Sequence, residues 1–133
     1  MSQEQDIEHV KLLSIFHYVL AGITALGACI PIIHLVVGLA CLAAPPGSLS
    51  GGPPPRLFGI VFATVGGSMV LFGWTVAALL FFAGRFLAAR THYRFCFVVA
   101  ALSCLMFPLG TVLGVFTIIV LSRLSVKALF AAG

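Results

Sequence analysis

The chain has 133 residues, of which 62% are apolar and only 8% charged, with a formal net charge of +4. A soluble domain devotes about 25% of its residues to charge, and a 14.0 kDa globule has too much surface for so few polar groups to cover. Together with a mean hydropathy of +1.23, this excludes a water-soluble fold and points to one lipid-covered domain over 1–133. The three acids, Glu4, Asp6 and Glu8, all precede residue 9. Paired-carboxylate catalysis, carboxylate-held metals and intramembrane carboxylate relays are thereby removed from the rest of the chain.

In chain order, 1–11 reads as an acidic helix start. Ser2 is the capping residue with Gln5 three positions on, and the acids favour the positive end of the helix dipole. An acidic start followed by so long an apolar run does not fit a signal peptide. From Leu12 to Ala44 no residue is charged, and the run is well beyond the about 20 residues that one crossing needs. Pro31 interrupts this run and predicts a kink, with a full reversal as the alternative. The segment 45–56, PPGSLSGGPPPR, cannot continue a helix and reads as a Pro/Gly-rich loop joining two spans; a PxxP ligand is the other use of such a sequence.

A second uncharged run, Leu57 to Gly84, is again longer than one minimal crossing and ends at an arginine-rich loop, 85–94. A third, Phe95 to Ser122, matches it in length and contains Phe107-Pro108-Leu109-Gly110, whose Pro-x-Gly step is turn chemistry. Helices over about 90–107 and 110–127 would then form a hairpin. The fold class is therefore an all-α polytopic integral membrane protein with four transmembrane helices. The count is three if Pro108 only kinks its helix, and five if Pro31 also reverses the chain. An echo between His17-Tyr18 before Pro31 and His92-Tyr93 before Pro108 would favour the last case.

Charge sets the expected orientation. Arg85, Arg90 and Arg94 place their loop in the cytoplasm, the 45–56 loop in the periplasm and both termini in the cytoplasm. Four crossings also bring Arg123 and Lys127 inside. These five cations would meet lipid headgroups; no basic domain with aromatic platforms points to nucleic acid.

Few side chains could carry chemistry. His17 and His34 are the intramembrane polar candidates. Their spacing corresponds to roughly 25 Å along a helix, so they cannot share a ligand on one straight helix. Hydrogen bonding to neighbouring helices is their ordinary role; proton relay, gating or haem ligation is the functional one. His92 and Cys96, at i and i+4, have the spacing of two metal ligands, with a third to come from another helix, for example His9. Cys29, Cys41 and Cys104 read as small packing residues, and no CxxC occurs. No phosphate loop, nucleophile elbow or zinc-protease motif is present, so neither an enzyme nor a cofactor is expected.

Small residues are more telling. Gly110 and Gly114 form GxxxG, Gly59, Ala63 and Gly67 form a second ladder, and Ala21, Ala25 and Cys29 a third. Thr64, Ser68, Ser103, Thr111 and Thr117 could add hydrogen bonds across such seams. Trp74 lies mid-span, where its ring should pack and its N–H find a partner.

The run FPLGTVLGVFTIIVLSRLSVKALF, Phe107 to Phe130, resembles a recurring ending of small uncharacterised bacterial membrane proteins: Pro-x-Gly-Thr-x-x-Gly, an apolar helix, then a short Val-Lys-x-Leu-Phe tail. The stretch from Phe16-His17-Tyr18 to Pro31-Ile32-Ile33-His34 is similar to the start of the same proteins. The resemblance implies a polytopic bacterial membrane protein and no particular activity. The leading expectation is a non-enzymatic inner-membrane protein that works by helix packing, as a subunit of a homo-oligomer or with another membrane subunit. An oligomeric channel or transporter for a small solute or ion is the first alternative, and a metal- or haem-binding membrane protein the second.

Overall fold

In the computed structural model, residues 3–45 and 55–131 are described. The Ser2 cap and the 46–54 part of the Pro/Gly-rich loop lie outside them. The described chain is helical, with no strand: α1 (Gln3–Gly27), α2 (Ile32–Ala43), α3 (Pro55–Ala89), α4 (Tyr93–Ser103), α5 (Leu109–Leu121) and α6 (Leu124–Ala131). Glu4–Ala43 and Arg56–Ala89, of 40 and 34 residues, are each long and apolar enough to cross a membrane. Large apolar side chains face outward, as a lipid solvent permits: Leu26 is 74% exposed and Phe72 73%.

The helices divide between two compact units, Thr24–Val76 and Met1–Ile23 with Ala77–Gly133. In the first, the backbone tightens around Pro31. The N–H groups of Cys29, Ile30 and Ile32 donate to the carbonyls three residues back, and Leu35 N–H resumes helical bonding to the Pro31 carbonyl. The proline, lacking an N–H, is absorbed by this short turn, and α2 starts at once beyond it.

α2 packs on α3 so closely that no side chain fits between them. A Cβ at Gly38 would strike the Ala63 backbone nitrogen and lie 2.9 Å from the Gly59 carbonyl oxygen; one at Gly66 would lie 2.7 Å from the Leu35 nitrogen. Nearby, a Cβ at Gly73 would lie 2.5 Å from the Ala28 Cβ. Glycine is what permits these approaches, and in lipid such contact is the main source of helix association.

In the second unit, α1 packs on the last turns of α3 through Gly84, whose carbonyl accepts a 2.7 Å hydrogen bond from Ser14 Oγ. Tyr18 meets Phe81 edge-on at 5.2 Å. α4 and α5 form a hairpin closed by glycine: a Cβ at Gly110 would lie 2.5 Å from the Ser103 carbonyl oxygen, and one at Gly114 2.5 Å from that of Ala100. Thr111 Oγ1 ties the turn by donating to the Cys104 carbonyl at 2.8 Å. α6 then turns 79° from α5. Val10 and Leu13 of α1, Leu87 of α3, Cys96 of α4, Val120 and Leu121 of α5 and Val126 of α6 share one buried cluster.

Buried and half-buried positions include series that step by four and three: Gly59, Ala63, Gly66, Val70, Gly73, Ala77, Leu80, Gly84 and Leu87 along α3, and Val10, Ser14, His17, Ala21, Thr24, Ala28, Pro31, Leu35 and Gly38 along the chain from α1 to α2. Such alternation holds a seam on one side of a slightly supercoiled helix.

Several expectations differ from these observations. The sequence predicts hairpin arms over about 90–107 and 110–127, whereas α4 is only Tyr93–Ser103 and α5 only Leu109–Leu121. Left-handed backbone at Arg90 and His92 (φ 55° and 54°) delays α4, and the break at Ser122–Arg123 stops α5. The ladder Gly59, Ala63, Gly67 becomes Gly59, Ala63, Gly66, and beyond the half-buried Thr24 and Ala25 it is Ala28 rather than Cys29 that is buried. A strict i+4 ladder drifts about 40° per step around a helix, while alternating four and three does not.

Cys29 is accordingly exposed, and Trp74 is 52% exposed on the outside of α3. Thr64, Ser68, Ser103 and Thr117 donate to carbonyls of their own helices rather than across seams; a hydroxyl in an apolar medium can be satisfied in that way without a neighbour. The two proline units are also unlike: the helical path continues through Pro31 and folds back at Pro108.

Candidate functional site

The unit containing both chain ends gathers almost all the charge. Its core cluster is flanked by Lys11 on α1, Arg85 and Arg90 around Leu87, Arg94 before Cys96, Arg123 after Leu121 and Lys127 beside Val126. Six cations meet the three carboxylates there, and only Arg56 lies elsewhere.

Asp6 organises this end. It stands one turn before Val10 on the stripe that continues through Ser14 and His17, so the helix carries its carboxylate inward, where the residue is 1% exposed. Arg123 Nη1 donates to Asp6 Oδ1 at 3.2 Å. The carboxylate therefore holds the break between α5 and α6. Tyr93 adds a second tie, its hydroxyl donating to the Leu121 carbonyl at 3.0 Å.

The α3–α4 corner is built from the backbone. Arg90 N–H donates to the Leu87 carbonyl and Thr91 N–H to that of Phe86, the paired bonds of a Schellman ending with Arg90 at the left-handed position. His92 follows, exposed, with its ring 4.5 Å from that of Phe86. Cys96, spaced for joint ligation with His92, is fully buried, and its sulfur faces the carbonyls of Ala83 and Thr91 at 3.9 and 3.8 Å. Among the described residues no group of three or more His, Cys, Asp or Glu could hold a metal ion.

The two histidines expected within the membrane have different settings. His34 is exposed and stacks on Phe62 at 5.7 Å. His17 is completely buried, with Nδ1 2.9 Å from the Leu13 carbonyl. That bond makes Nδ1 the donor, so Nε2 carries the lone pair, and Nε2 has no hydrogen-bond partner among the described residues. The nearby Ser14 hydroxyl is already given to Gly84.

On its other side α1 leaves a gap. A groove of about 560 Å³ runs between α1, from His9 to Ile23, and α5, from Leu109 to Val120. Its walls are leucine, isoleucine, valine and phenylalanine, and among the described residues His9 is the one polar member of its lining.

Of the remaining predicted residues, Gly59, Gly110 and Gly114 lie in tight seams, Ala63 backs Gly38, and Gly67 faces Leu35 with room to spare. The Asp6–Arg123 contact, the seam glycines 38, 66 and 84 and the α1–α5 groove were not read from the sequence. Asp6 had a signal, since it shares the stripe of Val10, Ser14 and His17; its partner at the far end of the chain had none. No protein-family model, curated protein or solved structure matches the chain.

Proposed function

We propose that the chain is a non-enzymatic, multi-pass protein of a bacterial inner membrane, acting through helix packing as a subunit of an oligomer or larger membrane complex. The observation that carries this reading is the division of labour among surfaces. Glycines close the seams inside each unit, while large apolar side chains face outward along α1, α3 and α5. Outward apolar surface is what lipid and other membrane helices cover. No convergent set of reactive groups accompanies it among the described residues, and the reading assigns no catalytic residue.

Within this proposal α1–α2 and α3 cross the membrane. The α4–α5 hairpin enters from the charged end and turns back inside the bilayer, because arms of 11 and 13 residues measure about 17 and 20 Å against a hydrocarbon core of about 30 Å. Both termini and 85–94 are cytoplasmic by their cations, with Arg85, Arg90, Arg94, Arg123 and Lys127 at the headgroups. The resemblance of Phe107 to Phe130 to small bacterial membrane proteins agrees with that placement.

A pore of hydroxyl-bearing residues draws no support from the geometry, since the outward hydroxyls of Thr64, Ser68 and Thr75 are given to their own helices. The test is purification from native membranes in mild detergent, with mass measured by light scattering and companions identified by mass spectrometry. A self-assembled or mixed species is the expected result; a bare monomer refutes the subunit reading.

A further inference from the structure

The α1–α5 groove has one charged end and one end without charge, and it needs an occupant of the same polarity. We infer that it binds one acyl chain of an anionic phospholipid, whose headgroup rests at the basic end beside His9, Arg123 and Lys127. The inference rests on the membrane placement and is independent of the subunit reading.

Three features favour this occupant. The lining offers an alkyl chain apolar side chains along its length, and His9 is its polar exception. That exception stands at the end where α5 finishes, about one turn along α1 from Asp6, whose carboxylate takes Arg123 Nη1. Glu4 and Glu8 lie on the same helix as His9, yet the unit as a whole holds six cations against three carboxylates and so carries a net positive charge. The other end, at Ile23 and Leu109, lies within runs that carry no charge from Leu12 to Ala44 and from Phe95 to Ser122.

Length separates a lipid from a second copy of the chain. His9 to Ile23 spans about 21 Å of helix and Leu109 to Val120 about 17 Å. One leaflet of a hydrocarbon core of about 30 Å is roughly 15 Å deep. The groove therefore has the depth of a single acyl chain, whereas a transmembrane helix of another protomer would need a surface running the full thickness.

The experiment reconstitutes the full chain in vesicles of equimolar phosphatidylglycerol and phosphatidylcholine, extracts it in mild detergent and counts retained lipid by native mass spectrometry. The wild type should keep one phosphatidylglycerol. Val112→Trp and Val19→Trp, exposed positions in the groove, should lose it while circular dichroism stays helical; Val98→Trp, exposed on α4 away from the groove, should keep it. Lys127→Gln should lower the preference for phosphatidylglycerol by about fivefold, one cation's share near an anionic surface. Folded wild type without lipid, equal retention of both lipids, or retention unchanged in both tryptophan variants overturns the inference. So does loss of a dimer in those variants, which would assign the groove to a second copy. A folded monomer that still retains phosphatidylglycerol would refute the subunit reading alone.

Discussion

Arg123 reaches back across almost the whole sequence to place its Nη1 3.2 Å from the buried carboxylate of Asp6. The contact joins the first turns of α1 to the corner where the chain bends 79° into α6. The acidic start of the chain thus acts as the anchor of its end, beyond its favourable interaction with the dipole of α1.

Breaking that anchor should free α6 before it disturbs the spans. Asp6→Asn and Arg123→Gln should each lower the thermal midpoint in detergent and speed proteolysis between Leu121 and Leu124. Arg123→Gln should be the worse of the two, because it leaves a buried carboxylate without its cation. The double variant should lose less than the sum of the single losses, since the two side chains share one interaction. Additive losses in this cycle would show that the pair does not hold the corner.

The register of the α2–α3 seam gives predictions of opposite sign at adjacent residues. Gly66→Ala and Gly38→Ala push a methyl group into backbone at 2.7 and 2.9 Å, and overpacking of this kind costs about 1–3 kcal/mol. Gly67→Ala meets only the flexible end of Leu35 at 3.7 Å and gains helix propensity of about 0.5–1 kcal/mol. Unfolding curves in a fixed detergent decide between them. A stabilising Gly66→Ala would overturn the register.

These glycines show what the sequence could and could not tell. Composition and three long apolar runs made an all-helical chain with membrane-length helices legible, because hydropathy is a property of each segment alone. The side of a helix that packs is not such a property. Apolar residues surround α1 and α3 on every face, so no amphipathic stripe marked the seam, and ladders chosen by i+4 spacing strayed at Gly67 and Cys29. The steps of four and three through Gly59, Ala63, Gly66, Val70 and Gly73 were present in the sequence, but they stand out only once Gly38, Leu35 and Ala28 are seen opposite. The hairpin at Pro108 rested on local turn chemistry, while the ends of its arms depended on Arg90 and on Asp6, the latter remote in sequence.

Arg90 occupies a left-handed position that costs an L-residue about 1–2 kcal/mol. Arg90→Gly should therefore stabilise the α3–α4 corner by about 1 kcal/mol, whereas Arg90→Ala, which keeps the Cβ, should not. Chemical unfolding of the two variants beside the wild type checks this. Equal behaviour would mean that the arginine side chain, rather than the backbone, decides stability at the corner.

His17 holds a lone pair in the core with nothing to accept from among the described residues. A buried unsatisfied group costs about 1–3 kcal/mol, so His17→Leu should raise the thermal midpoint of purified protein, and His17→Gln, which keeps polar atoms in the same place, should not. A fall in stability with leucine would show that Nε2 has an occupant in the working protein, and native mass spectrometry of the wild type would then identify it.

The depth of the α4–α5 hairpin decides the topology. Phe107, 89% exposed at the turn, is the position at which two arrangements differ most. On the proposed placement, arms as short as α4 and α5 leave the turn inside the bilayer, so a cysteine placed there in a cysteine-free chain should resist a membrane-impermeant maleimide from either side of the membrane. A cysteine at Lys127, in the exposed part of α6, should react from the cytoplasmic side only. Labelling of Phe107→Cys from the periplasm would instead require both arms to reach across the bilayer, which their lengths allow only if the membrane thins around them. That result would restore four crossings and would place the charge-free end of the α1–α5 groove at the far headgroups, where an acyl chain has no reason to lie.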